Sequence, residues 1–179
     1  MRRAALLLSM LCTVACSSAG PYGYAPTYTP LDEEESAAAG AKEFDPVMAK
    51  RFPEEWRDKP VSIFGVVTNR SQAAGGASSL TLSVRTLATR NLCDEGGQET
   101  CRVTVSDREH AVVHASVKLR AGDDIGEKSV GVGSLVRVIG KFTDVVDNDD
   151  GNPIINGTYY RHWPVHHYVT TAASSYMRR

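Results

Sequence analysis

A chain of 179 residues carrying 20 basic and 21 acidic side chains, with a formal net charge of −1, is sized for one ordinary domain. From Pro60 onward 13 Lys and Arg stand against 12 Asp and Glu. That balance argues against a protein that grips a phosphate backbone, which needs a net positive face, and no nucleic-acid partner is expected.

The first residues form a secretory leader. Arg2 and Arg3 supply a positive start, residues 4–11 a short apolar core, and Thr13-Val14-Ala15-Cys16 the processing region. The apolar stretch is too short to remain as a membrane span. The ending resembles the lipobox of bacterial lipoproteins, which implies cleavage after residue 15 and acylation of Cys16. Ser17 following that cysteine implies, by the same resemblance, sorting to the outer membrane. Each buried methylene of an acyl chain contributes about 0.8 kcal/mol, so several chains together would anchor the protein stably.

Residues 16–43 read as the lipidated cysteine and a disordered tether. They are rich in Ser, Gly, Pro, Ala and Tyr, then Glu, and show no apolar periodicity. Asp45-Pro46 then signals a short helix, with Asp45 as N-cap and Pro46 at the first helical position. Phe52 precedes Pro53 and ends it. Val47, Met48, Phe52 and Trp56 are expected to lie against a sheet and plug one end of the domain.

Period-two patterning begins at Val61. A first strand runs to about Asn69, and a second alternates Leu80, Leu82 and Val84 with polar neighbours, with a bulge near Leu87. Cys101, Val103 and Val105 alternate next, followed by Ala111, Val113, Ala115, Val117 and Leu119. Residues 120–133 form a loop with room for one helical turn. The stretch 133–164 then reads as a central strand, with Val136, Val138, Gly140 and Phe142 on one face, a turn at DNDDGN, and a returning strand in which Ile155, Tyr159 and Trp163 share the core face. Five or six strands with a short N-terminal helix predict a mainly β protein, a small OB-like barrel over residues 44–168, with a sandwich as the alternative architecture. Residues 169–179 are left as a tail or an added edge strand.

The strand sequence Gly65-Val66-Val67 with Asn69, the strand 80–84 leading to Leu87, Gly133 with residues 136–140, and the aromatic ending around Trp163 are together similar to the Slp family of Gram-negative outer-membrane lipoproteins. The likeness covers roughly residues 60–165. It implies a periplasm-facing envelope protein held to the membrane through Cys16, without known enzymatic activity, whose partner is an envelope protein or a cell-wall component.

Few residues offer chemistry. Cys93 and Cys101 flank a hydrophilic loop, and an oxidising compartment favours a disulfide between them, worth about 2.5 kcal/mol by chain entropy. On the second and third barrel strands, where OB domains take oligonucleotides or sugars, Arg85, Arg102, Thr104, His114 and Lys118 form the candidate binding face. His110 and His114 would lie about 13 Å apart along a strand, too far to share a metal. His162, His166 and His167 cluster in sequence and, with a carboxylate, would make a zinc donor set. Asp147, Asp149, Asp150 and Gly151 resemble a calcium loop, but position twelve is Thr158 and flanking helices are missing from the pattern, so a solvated turn is expected. No GxSxG, Walker or dinucleotide-binding pattern is present. Catalytic residues, metal ligands and cofactors are therefore not assigned. The expected function is a non-enzymatic binding or structural module, with a saccharide-binding, small-ligand-binding or hydrolytic envelope domain as the alternative.

Overall fold

The structure is a computed structural model that describes residues 28–88 and 102–172. Cys16 and the pair Cys93 and Cys101 lie outside the described residues, as does the end of the tail after Ala172. In chain order the elements are α1 (Asp32–Ala38), β1 (Lys42–Glu43), α2 (Pro46–Arg51), β2 (Pro60–Gln72), β3 (Ser78–Arg85), β4 (Val103–Val105), β5 (Val112–Val117), α3 (Ala121–Asp124), β6 (Leu135–Val146), β7 (Pro153–Trp163) and β8 (Tyr168–Thr170).

Five strands close a barrel in the order β2-β3-β5-β7-β6, and β6 returns to pair with β2. The neighbours are antiparallel except β5 and β7, which run parallel. This is the OB-like barrel expected from the alternation. The first core fills its interior: Val61, Ile63 and Val67 from β2, Leu80, Leu82 and Val84 from β3, Val113, Ala115 and Val117 from β5, and Val136 and Val138 from β6. Gly140 of β6 permits a close approach that no other residue would, since a Cβ there would sit 2.0 Å from the carbonyl oxygen of Asn156. Beside it the register slips between Ile139 and Gly140. The slip moves the inward phase of β7 by one residue, so Tyr160, not Tyr159, joins Ile155 in the core. Trp163 leaves that face and joins a second core.

The second core lies on the outside of the barrel. Phe64 and Leu135 point away from the interior and meet Val103, Val105 and Trp163, with Tyr28, Val66, Leu87 and Tyr168 packed around them. Burying such a side chain contributes roughly 1.5–3 kcal/mol, so this flank is a stabilising layer of its own. Part of the layer is a two-stranded parallel sheet, β4 with β8. The segment around Cys101 to Val105 was expected as a barrel strand. Its alternation is that of a strand, but its partner is the C-terminal β8, and the tail thus enters the fold as far as Thr171, whose hydroxyl donates to Asp107 at 2.7 Å.

The N-terminal segment corrects the expected tether. Residues 28–43 are laid along the barrel wall, where α1 brings Glu34 into complete burial. Arg137 and Arg161 stand directly opposite each other on β6 and β7, a like-charge pair that destabilises a sheet by itself. Glu34 lies between them, accepting from Arg137 at 2.5 Å and from Arg161 at 2.8 Å. Tyr28 donates its hydroxyl to the same carboxylate, and the Leu31 N–H donates at 3.2 Å. Burial pushes the Glu34 carboxyl up, but the hydrogen bonds from Arg137, Tyr28, Arg161 and Leu31 together outweigh it and hold the group below the usual carboxylate range. The strap then climbs to β1, which pairs with Val61 and Ser62 of β2, beyond the Phe64 and Arg85 pair where β3 ends.

Candidate functional site

The end of the barrel that holds the β6–β7 turn is not sealed. A groove of about 710 Å³ opens there, between α2 and the segment after it on one side and the starts of β5 and β7 on the other. Its size falls within the range of small-molecule and peptide sites. Three aromatic side chains build its wall: Phe44 meets Trp56 edge-on at 5.6 Å and Phe142 at 5.1 Å between ring centroids. The Lys42 ammonium sits 4.1 Å from the Trp56 ring centre, an attraction to the ring face. The Trp56 indole N–H is buried and has no acceptor among the described residues. Lys50, Arg57, His110 and Asn152 add polar groups to the lining.

Asp45 sets the angle of the groove's outer wall. Its carboxylate accepts from the N–H groups of Val47 and Met48 at 2.9 and 3.0 Å, the N-cap expected from Asp-Pro. The helix does not, however, turn its apolar residues to the sheet. Trp56 is buried, whereas Val47 is 54% exposed, Met48 37% and Phe52 48%. Val146, across the groove on the end of β6, is 52% exposed. Six residues make less than two turns, and Ala49 alone of that helix packs against the barrel core.

The expected binding face does not exist as one surface. Arg85 ends β3 with its guanidinium donating to the carbonyls of Ser106 and Asp107. Thr104 is buried in β4, where its hydroxyl donates to the Arg102 carbonyl at 3.1 Å. Because β4 belongs to the outer sheet, Arg102 and Thr104 are separated from the barrel strands. Only His114 and the exposed Lys118 belong to the β5 segment of the barrel. The three C-terminal histidines also fail to converge. His162 contacts the Lys128 carbonyl at 2.8 Å and lies 3.8 Å from Asp123, while His166 and His167 are exposed.

What sequence reading missed is the company of His114. Its Nε2 lies 2.8 Å from Asp150 in the β6–β7 turn, and its Nδ1 lies 3.2 Å from the Thr81 hydroxyl on β3. Asp150 is held below the usual carboxylate range, first by the Asn152 N–H and then by His114. The pairing spans 36 residues and depends on the parallel register of β5 with β7, which sets His114 opposite Ile154. That register has no signature in the sequence. No protein-family model matches the chain, and no curated protein resembles it closely enough to count as a match.

Proposed function

We propose that the protein is a non-enzymatic lipoprotein of the outer membrane, anchored through Cys16 and facing the periplasm, whose OB-like barrel presents the groove to another envelope protein. The observation that carries this reading is the exposed apolar surface of α2 next to the groove. Val146 lines a groove walled by Phe44, Trp56 and Phe142, and Val47, Met48 and Phe52 expose large side chains on α2 and its C-cap beside it. A small ligand would fill the groove and leave these α2 side chains in water, whereas an apolar surface of a partner would cover both.

The path of the strap supports the same reading. The described chain begins at Tyr28, whose ring meets Phe64 at 5.8 Å and Trp163 at 6.1 Å. Trp163 pairs with Leu135, and Phe142 of the groove lies seven residues further along β6, about 23 Å away at ordinary strand rise. Eleven residues separate Cys16 from Tyr28. Fully extended they reach at most about 40 Å, so an anchor at Cys16 would keep the barrel within that distance of the membrane. The resemblance to Slp-type lipoproteins is consistent with this arrangement, and a disulfide between Cys93 and Cys101 would suit the same compartment.

The test is photo-crosslinking in cells from position 48 of the full-length protein, with Cys16→Ser as control. One dominant protein adduct, lost with Cys16→Ser and with Phe52→Asp, is the expected result. Membrane association that survives Cys16→Ser would refute the anchor. A co-purifying glycan with no protein adduct would move the assignment to the second reading, a saccharide-binding domain, which the Lys50, Arg57, His110 and Asn152 groups of the lining favour.

A further inference from the structure

Three side chains from distant parts of the chain meet on the rim of the barrel. His114 comes from β5, and Asp147 and Asp150 from the β6–β7 turn; one ligating atom of each lies within 4.8 Å of the others. Donor atoms around a tetrahedral zinc ion stand about 3.4 Å apart, as follows from bonds of about 2.1 Å. The observed spacing brackets that value: His114 Nε2 and Asp150 Oδ2 are 2.8 Å apart. An ion of that size therefore requires only small side-chain rotations.

The supports around these donors come from outside the trio. Thr81, on the neighbouring strand, contacts His114 Nδ1 at 3.2 Å and directs Nε2 at the carboxylates. The Asp149 N–H donates to Asp147 Oδ1 and the Asn152 N–H to Asp150 Oδ1, each at 2.9 Å. One oxygen of each carboxylate is thereby fixed, and the second oxygen of Asp150 faces His114 Nε2, the contact that an ion between them would replace. A hydrogen-bonded second nitrogen on the histidine and hydrogen-bonded carboxylates are the surroundings that metal ligands ordinarily have.

We propose that His114, Asp147 and Asp150 bind a divalent transition ion of the zinc class, with water completing its shell. One imidazole nitrogen and two carboxylate oxygens are a mixed donor set that suits zinc, whereas calcium takes six to eight oxygens. The ion ties the β6–β7 turn to β5. Gly151, Asn152 and Pro153 of that turn and its exit line the groove, so the ion also fixes one groove wall. The site stands apart from the partner reading, because it binds whether or not the groove is filled.

The experiment is calorimetric titration of the full chain carrying Cys16→Ser with Zn²⁺ alone, beside Ca²⁺ and Mg²⁺, together with thermal melts. One equivalent of Zn²⁺ binding at or below about 10 μM is expected, with a rise in Tm. Asp150→Asn, a turn substitution that leaves the barrel intact, and His114→Ala each weaken it at least tenfold. Thr81→Val weakens it about tenfold through the lost support to Nδ1. Absence of saturable Zn²⁺ binding overturns the proposal. So does binding that survives Asp150→Asn and His114→Ala but disappears in a His166→Ala, His167→Ala double variant or in a Cys93→Ser, Cys101→Ser one. Tighter binding of Ca²⁺ than of Zn²⁺ overturns the ion class.

Discussion

The two flanks of this barrel have been finished differently. Where β6 and β7 meet the N-terminal strap the outward groups are covered or paired: Phe64 and Leu135 lie under the β4–β8 sheet, and the facing Arg137 and Arg161 are bridged by Glu34. At the groove end Val146 and the neighbouring α2 leave large apolar side chains in water, and the buried Trp56 indole N–H lacks a protein partner among the described residues. A chain able to build the first flank has the means to close the second. The difference teaches that the packed and paired flank carries the stability of the barrel, while the open end is the part that the proposed binding role would use.

The largest effect should come from removing Glu34. Glu34→Ala leaves two facing guanidinium groups under a partial cover, and loss of one member of a buried ion cluster costs about 3–5 kcal/mol. The expected outcome in urea denaturation is a loss of that order, with new proteolytic cleavage within residues 28–43. An unchanged midpoint would break the contrast between the flanks.

Acid should reproduce part of that effect without mutation. Glu34 has its folded pKa below the ordinary 4.5, so the unfolded chain binds the proton first. The stabilisation is complete above about pH 4.5 and is lost as pH falls through the lower folded value. Equilibrium unfolding followed from pH 6 to pH 2 should show a loss that Glu34→Gln does not show.

A smaller effect belongs to Asp45→Ala. Loss of the N-cap costs about 1 kcal/mol and should appear as faster amide exchange in α2, with the strap unaffected. The least disturbance is expected from Val47→Ser, Met48→Ser and Phe52→Ser. Exposed positions change stability by no more than about 0.5 kcal/mol each, yet the triple variant should abolish crosslinking to the partner. A marked fall in stability would show that these residues serve the fold rather than an interface.

The barrel itself was legible because its strands alternate: β2, β3, β5 and β6 announce their inner faces through Val, Ile and Leu at every second position. The N-cap at Asp45 was legible for the same local reason. The strap was not, because nothing in the acidic stretch 32–35 distinguishes the one carboxylate that is buried from the three that are not. Glu34 is selected by arginines 103 and 127 residues away. Nor does alternation say which sheet a strand joins, so β4 read like a barrel strand and its Thr104 like a wet position. The phase of β7 was misread for a third reason: a one-residue slip beside Gly140 exchanges Tyr159 for Tyr160. Of the candidate site, the turn was visible as a run of Asp, Asn and Gly. Its approach to His114 required the parallel pairing of β5 with β7.

The long reach of the Glu34 bridge also orders events in time. A chain emerging from its N-terminus delivers Glu34 first, and its two cationic partners follow only after 103 and 127 further residues. Contacts of such separation form late, because the intervening chain must be organised before they return any energy. The strap is therefore the last piece to settle on the barrel as the chain folds. Throughout that interval Glu34 stays solvated, and its docking between Arg137 and Arg161 then marks the completed chain.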